Sequence, residues 1–353
     1  MNSKKFLLIM FVLLVIIFAI GKDTSANAQT YKSDILIKEL TLKISLIQTA
    51  SEVYDTNINE TKNFNKNLYK DKSNQAYKHY TWLKNTYSNM DKEMKSSLEN
   101  IFKSKDSWEY INTVINLNDD ASVDEIINTL NRDKYLNLSD DLKNDIEKFF
   151  IYFYDEHFKS YYKKQKYKYD RKANNLNQKL SDNQVDVIKF IETSSGIKLP
   201  KHYKSIMYYN LNPLVSQAFE HDNVMISTIG LNVTPADIVS IHFYKYARPL
   251  FDTFSTSKEY LNFYSTLNQD KNFKSDYNNF DKGSYSFNDW CLENLISGYS
   301  KYLEYLYFGS TYENASYAYD LDFYNYLKDI GFNPNKISLK DATINFYKSK
   351  LNS

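Results

Sequence analysis

A chain of 353 residues can build one large core or two smaller ones. With 42% hydrophobic and 25% charged residues it is not disordered, and a net charge of +1 with lysines scattered among acids offers no basic stripe to a nucleic-acid backbone. The single cysteine, Cys291, excludes an internal disulfide, so the fold must stand on packing alone.

The N-terminus reads as an export signal. A basic start, "MNSKK", precedes the apolar run Phe6–Ile20, and Ala26 and Ala28 follow in an A-x-A arrangement. Cleavage after Ala28 is expected, giving a secreted or cell-surface protein with no integral membrane domain in the mature chain. An uncleaved membrane anchor is the alternative, although the run is short for a span. Loss of Lys4, Lys5, Lys22 and Asp23 would bring the net charge to about −1, which points to no oppositely charged partner.

Residues 30–195 read as a long helical N-terminal region. In "SDILIKELTLKISLIQTA" the apolar spacing mixes a strand period with a helix period. "NQAYKHYTWLKNTYSNMDKEM" reads as a helix with Tyr77, Tyr80, Leu83 and Tyr87 near one face and His79 at the surface. The longest helix starts at Ser139, a cap followed by acids that meet the helix dipole. Leu142, Ile146, Phe149, Phe150 and Phe153 then form a wide apolar face. One helix face also accounts for the lysines and tyrosines of "SYYKKQKYKYDRK".

The texture changes near residue 196, where a second region, 196–353, begins. "KSIMYYNLNPL" and "NVMISTIG" read as strands. The segment "TPADIVSIHFYKYARPLFD" has a helix start at Thr234–Asp237 and a stop at Pro249, predicting a helix to about Ala247. Further helices follow, one capped by Ser286 or Asn288, one ending at Gly331 and one capped by Ser338.

The helix after Thr234 has the setting of a zinc-peptidase helix without its chemistry. Such a helix needs two histidines one turn apart, a glutamate between them as general base, and a third ligand from a later helix. Glu293, in "WCLENL", stands at a suitable distance downstream. If His242 is the first ligand, Phe243 stands at the base and Tyr246 at the second histidine. Phenylalanine accepts no proton, and a phenol that keeps its proton near pKa 10 is a poor zinc ligand. Each residue also has an ordinary reading: His242 as a core histidine, Glu293 as a solvated acid and Cys291 as a small buried residue. His202, His221 with Glu220 and Asp222, and His157 with Asp155 and Glu156 are the other candidate clusters.

The stretches "LTLKISLIQTASEVY", "DIEKFFIYFYDEHFKSYYKKQKYKYD", "DIVSIHFYKYARPLFD" and "WCLENLISGYSKYL", in this order, resemble the DUF4932 family of predicted HExxH-type bacterial zinc peptidases. The resemblance covers roughly residues 35–310. It implies a predominantly helical α+β fold with a zincin-like core, in which a small sheet packs against the zinc helix. It also implies a motif of the form HEF-x-H closed by Asn-Pro, with an acidic third ligand on a later helix. Matching Pro249 to the family proline puts Ser240 at the first histidine, Ile241 at the glutamate and Tyr244 at the second histidine. Both registers lack the base and at least one ligand, and Glu293 matches the third ligand.

The resulting expectation is an exported peptidase-like protein without catalytic activity and without a cofactor. It would bind a peptide, a wall component or a partner protein. One alternative is an active zinc hydrolase with a rearranged site built from His242, Glu293 and His221 or His202. The other is a purely structural or adhesion module.

Overall fold

The computed structural model describes residues 35–59, 75–182, 186–199, 204–212, 217–222, 224–280 and 285–351. The expected signal segment, 1–28, lies outside them. In chain order the elements are β1 (Ile35–Lys38), α1 (Leu42–Asn57), α2 (Gln75–Asn89), α3 (Lys92–Ser104), α4 (Ser107–Val114), α5 (Val123–Arg132) and α6 (Asp140–Tyr152). A π-helical segment, Phe153–Phe158, leads into α7 (Lys159–Asp182) and α8 (Val187–Ser195). Then come β2 (Lys204–Tyr209), β3 (Gln217–His221), β4 (Val224–Ile229), α9 (Pro235–Ser255), α10 (Lys258–Gln269) and α11 (Lys271–Phe280). The last elements are α12 (Phe287–Phe308), α13 (Asp320–Asp329) and α14 (Leu339–Leu351). The fold is predominantly helical α+β, as the sequence indicates, with one small open sheet in the order β1-β2-β4-β3. Among the described residues no helix is long and apolar enough to cross a membrane.

The chain divides into two compact units. A sheet unit takes residues 33–185 and 201–235, and a helical unit takes residues 186–200 and 236–353.

In the sheet unit, the mixed periodicity after residue 34 resolves into a strand followed by a helix. Ile35 and Ile37 are buried in alternation on β1, which runs parallel to β2, pairing Ile35 with Ser205. The helix α1 then buries Ile44, Leu46, Ile47, Ala50 and Val53. The outer edge of β1 is closed by α7. Asn177 accepts a hydrogen bond from the Ile37 amide (2.9 Å) and donates to its carbonyl (2.7 Å). Asp170 accepts from the Leu40 amide at 3.1 Å, and the Tyr162 hydroxyl donates to the Leu40 carbonyl at 2.8 Å. A strand edge left with unpaired backbone groups recruits other chains, and α7 removes that hazard on this side. The strand β4 pairs parallel with β2 and antiparallel with β3. Glu220 and His221, of the candidate cluster with Asp222, are the end of β3, which turns into β4 at Asp222, whose φ is 47°.

Ser139 caps α6, accepting from the Leu142 amide at 3.3 Å as its position predicts. Phe149, Phe150, Phe153 and Phe158 are fully buried, and the π segment carries that face across the junction with α7.

In the helical unit, α9 does not stop at Pro249 but runs through it to Ser255. A proline inside a helix removes one backbone hydrogen bond. Packing offsets that loss, because Phe243, Tyr246, Ala247, Leu250, Phe251 and Phe254 form one uninterrupted buried face. Ser286 caps α12, accepting from the Asp289 amide at 3.2 Å. Nearly every residue from Phe287 to Leu303 is buried, which makes α12 the central helix of the unit. At Gly298 it meets α13 so closely that a Cβ would lie 2.5 Å from the Asp320 carbonyl oxygen. Lys301 and Asp320 form a buried ion pair beside that crossing, at 2.5 Å. Gly331, at φ 54°, follows α13 in the left-handed conformation expected of it.

Candidate functional site

The site built around Glu293 lies within the helical unit. Glu293 is only 3% exposed, so the sequence reading of it as a solvated acid does not hold. Both its oxygens are engaged. The Tyr244 hydroxyl donates to Oε2 at 2.8 Å, and the Arg248 guanidinium forms an ion pair with Oε1. Tyr244 and Arg248 are four residues apart and therefore share one side of α9, together with Ser240 one turn earlier. Tyr317 hydrogen-bonds the Tyr244 hydroxyl, and Tyr285 lies close by. Burial, then these phenols, push the Tyr244 pKa well up, so it stays a neutral donor. Ser240 and Ile241 are half-buried.

His242 and Tyr246 occupy a different stripe. Two residues from Tyr244 is about 200° around a helix, so they face away from Glu293. Both are buried, with ring centroids 5.5 Å apart. His242 Nδ1–H donates to the Ile238 carbonyl at 2.6 Å. Burial lowers the His242 pKa from 6.5 to about 4, against the raising effect of that bond, so the ring is neutral at ordinary pH. Phe243 packs on Phe190 and Tyr307, with ring centroids 5.5 and 5.6 Å away. The structure thus brings Tyr244 and Glu293 together and leaves His242, Phe243 and Tyr246 in the core.

The other candidates are occupied by neighbours of their own. His221 Nδ1 meets Asn112 at 2.7 Å, and its Nε2 meets Asn116 at 3.1 Å and Asp222 at 3.4 Å. His157 Nε2 lies 3.2 Å from the Tyr152 hydroxyl, while Asp155 pairs with Lys159. His202 lies outside the described residues. Among the described residues no three histidine, cysteine or carboxylate side chains come together as a metal site. Cys291 is buried, and burial pushes its thiol pKa well up, the reverse of what a nucleophile needs.

The residues around Glu293 do not fit a zinc ion. Ile241 brings no donor atom, Tyr244 keeps its proton, and Arg248 places a fixed positive charge on the carboxylate the metal would use. Arg248 was not legible as part of the site. Its only signals are its place one turn after Tyr244 and the scarcity of arginine in a lysine-rich chain.

A second polar cluster lies in the sheet unit and was missed altogether. His79 is 2% exposed, not a surface side chain. Its Nε2 meets Glu52 Oε2 at 2.7 Å, and its Nδ1 meets the Tyr161 hydroxyl at 2.9 Å. In a neutral ring the carboxylate fixes the proton on Nε2, so Nδ1 accepts from the phenol. Asn210 donates to the other Glu52 oxygen at 3.2 Å, and Trp82 stacks on Tyr161 at 4.2 Å. The sequence suggests a face of Tyr77, Tyr80, Leu83 and Tyr87, but the buried stripe is Ala76, His79, Leu83 and Thr86.

Compared with protein-family models, with curated proteins and with solved structures, the chain matches none.

Proposed function

We propose that this chain is an exported, peptidase-like protein of DUF4932 type that acts by binding and not by catalysis. The observation that carries the reading is the double engagement of Glu293. In the register set by Pro249, Tyr244 stands at the second histidine and Glu293 at the third ligand. These two side chains hydrogen-bond directly. Arg248 supplies a positive charge to the same carboxylate, in the role a metal ion would otherwise fill. A carboxylate held by a guanidinium and a phenol is a poor zinc ligand and a poor base, and Asp252, one turn beyond Arg248 on the same stripe, interacts with the same guanidinium. The scaffold then serves to hold a surface for a peptide, a wall component or a partner protein.

Rebuilding the motif tests both halves of the reading. A variant carrying Ser240→His, Ile241→Glu, Tyr244→His and Arg248→Ala is expected to bind one equivalent of zinc by calorimetric titration, while the unaltered protein binds none. If the folded variant takes up no zinc, the zincin-like reading of α9 and α12 fails. If the unaltered protein takes up zinc at Glu293, the non-catalytic reading fails.

A further inference from the structure

The sheet unit contains a cleft of about 890 Å³, walled by α7 on one side and by residues 231–235 on the other, with Gln75 at the start of α2. Its charge is one-sided. Lys168, Arg171, Lys172 and Lys179 line it, and among the described residues no carboxylate does. The acids of α7 are committed elsewhere: Asp170 to the Leu40 amide and to Lys166, Asp182 to Gln178. Lys168 donates to the Gln75 side-chain oxygen at 2.9 Å. Partial burial pushes its pKa down, and the nearby charges of Lys172 and Lys78 add to that shift.

The geometry follows from how α7 is held. The residues that close β1, Asp170 and Asn177, sit two positions from Lys172, Asn175 and Lys179. They therefore lie about 200° around the helix from the cleft stripe. Sealing the sheet edge aims the cationic stripe away from the sheet. From Lys168 to Lys179 the stripe runs about 16 Å along the helix axis, at 1.5 Å per residue. One isolated anion would meet only the charges within a turn of each other. A chain of anions would meet all four.

We propose that this cleft binds an extended chain of phosphate groups, with Arg171 forking onto one phosphate and Lys168, Lys172 and Lys179 meeting its neighbours. The guanidinium suits paired oxygens, and lysine acts as a point charge along the same line. Such a chain supplies negative charge along a cleft whose described charged side chains are all cationic. The assignment rests on the sheet unit alone and is independent of the reading of Glu293.

The test is titration of the purified protein with linear polyphosphate, with orthophosphate, with polyglutamate and with vesicles containing phosphatidylglycerol. Polyphosphate is expected to bind best, with log K falling against log salt at a slope of about −2 to −3, as three or four contacts require. R171A/K172A should weaken that binding at least about tenfold, and K168Q should weaken it separately. K163A/K164A removes two exposed charges from the same helix outside the cleft and should leave binding unchanged. Equal losses from the two double variants would overturn the assignment. So would equal affinity for polyglutamate, equal affinity for orthophosphate, or binding to vesicles alone.

Discussion

The Tyr244 hydroxyl donates to Glu293 Oε2 at 2.8 Å across 49 positions of sequence, and Arg248, one helical turn after Tyr244, holds the other oxygen. A carboxylate that is 3% exposed is costly unless both oxygens are satisfied. Tyr244→Phe is therefore expected to destabilise the protein by about 1–2 kcal/mol, the cost of one buried acceptor left unpaired. Arg248→Ala should cost more, about 2–4 kcal/mol, because it leaves a buried charge uncompensated, moderated by the partial exposure of the guanidinium. Glu293→Gln in the Arg248→Ala background should recover most of that loss. Urea denaturation of the three variants checks the order. Equal stabilities for Arg248→Ala and the unaltered protein would show that the ion pair holds nothing.

His242 gives the fold an acid-sensitive limb. Its folded-state pKa of about 4 lies below the unfolded value of 6.5. Between those values the unfolded chain binds a proton that the folded chain refuses. Stability is then full above pH 6.5 and falls as pH drops toward 4, by about 1.4 kcal/mol per pH unit. His242→Leu should remove this contribution, so that its stability declines less between pH 6.5 and 5. Denaturation at pH 7, 6 and 5 measures the two slopes, and parallel slopes would contradict a buried neutral histidine.

Gly298 sets the distance between α12 and α13. Replacing a helix-interior glycine by alanine ordinarily gains about 1 kcal/mol. Here the new methyl would lie 2.5 Å from the Asp320 carbonyl oxygen and 3.0 Å from Phe323 Cβ. Gly298→Ala is therefore expected to destabilise, by about 1–3 kcal/mol net, with the Lys301–Asp320 pair displaced. A rise in melting temperature would mean that the two helices separate easily.

How much of this was legible in the sequence depended on whether the signal was local. Ser139, Ser286, Ser338 and Gly331 announced helix ends, because caps and left-handed glycines act within one turn. Pro249 misled, because a long buried face outweighs one missing backbone bond. β1 was hidden by running directly into α1, so two periods overlapped in one window. Glu293 could be singled out by its distance from α9. Its partner Arg248 could not, since an arginine on a half-buried helix is usually a solvated end. The cluster of Glu52, His79 and Tyr161 joins three helices and had no expression in any one of them. The cationic stripe of α7 escaped for a related reason: the helix carries eight lysines and arginines against two acids, but which of the eight share one cleft depends on the side of α7 that seals β1.

The central claim is that Arg248 and Tyr244 hold Glu293 in place of a metal ion. Zinc content of the purified protein, measured by mass spectrometry after dialysis against zinc-containing buffer, tests it most directly. Far less than one equivalent is expected, unchanged by Glu293→Gln. One equivalent of zinc that is lost on Glu293→Gln would contradict it.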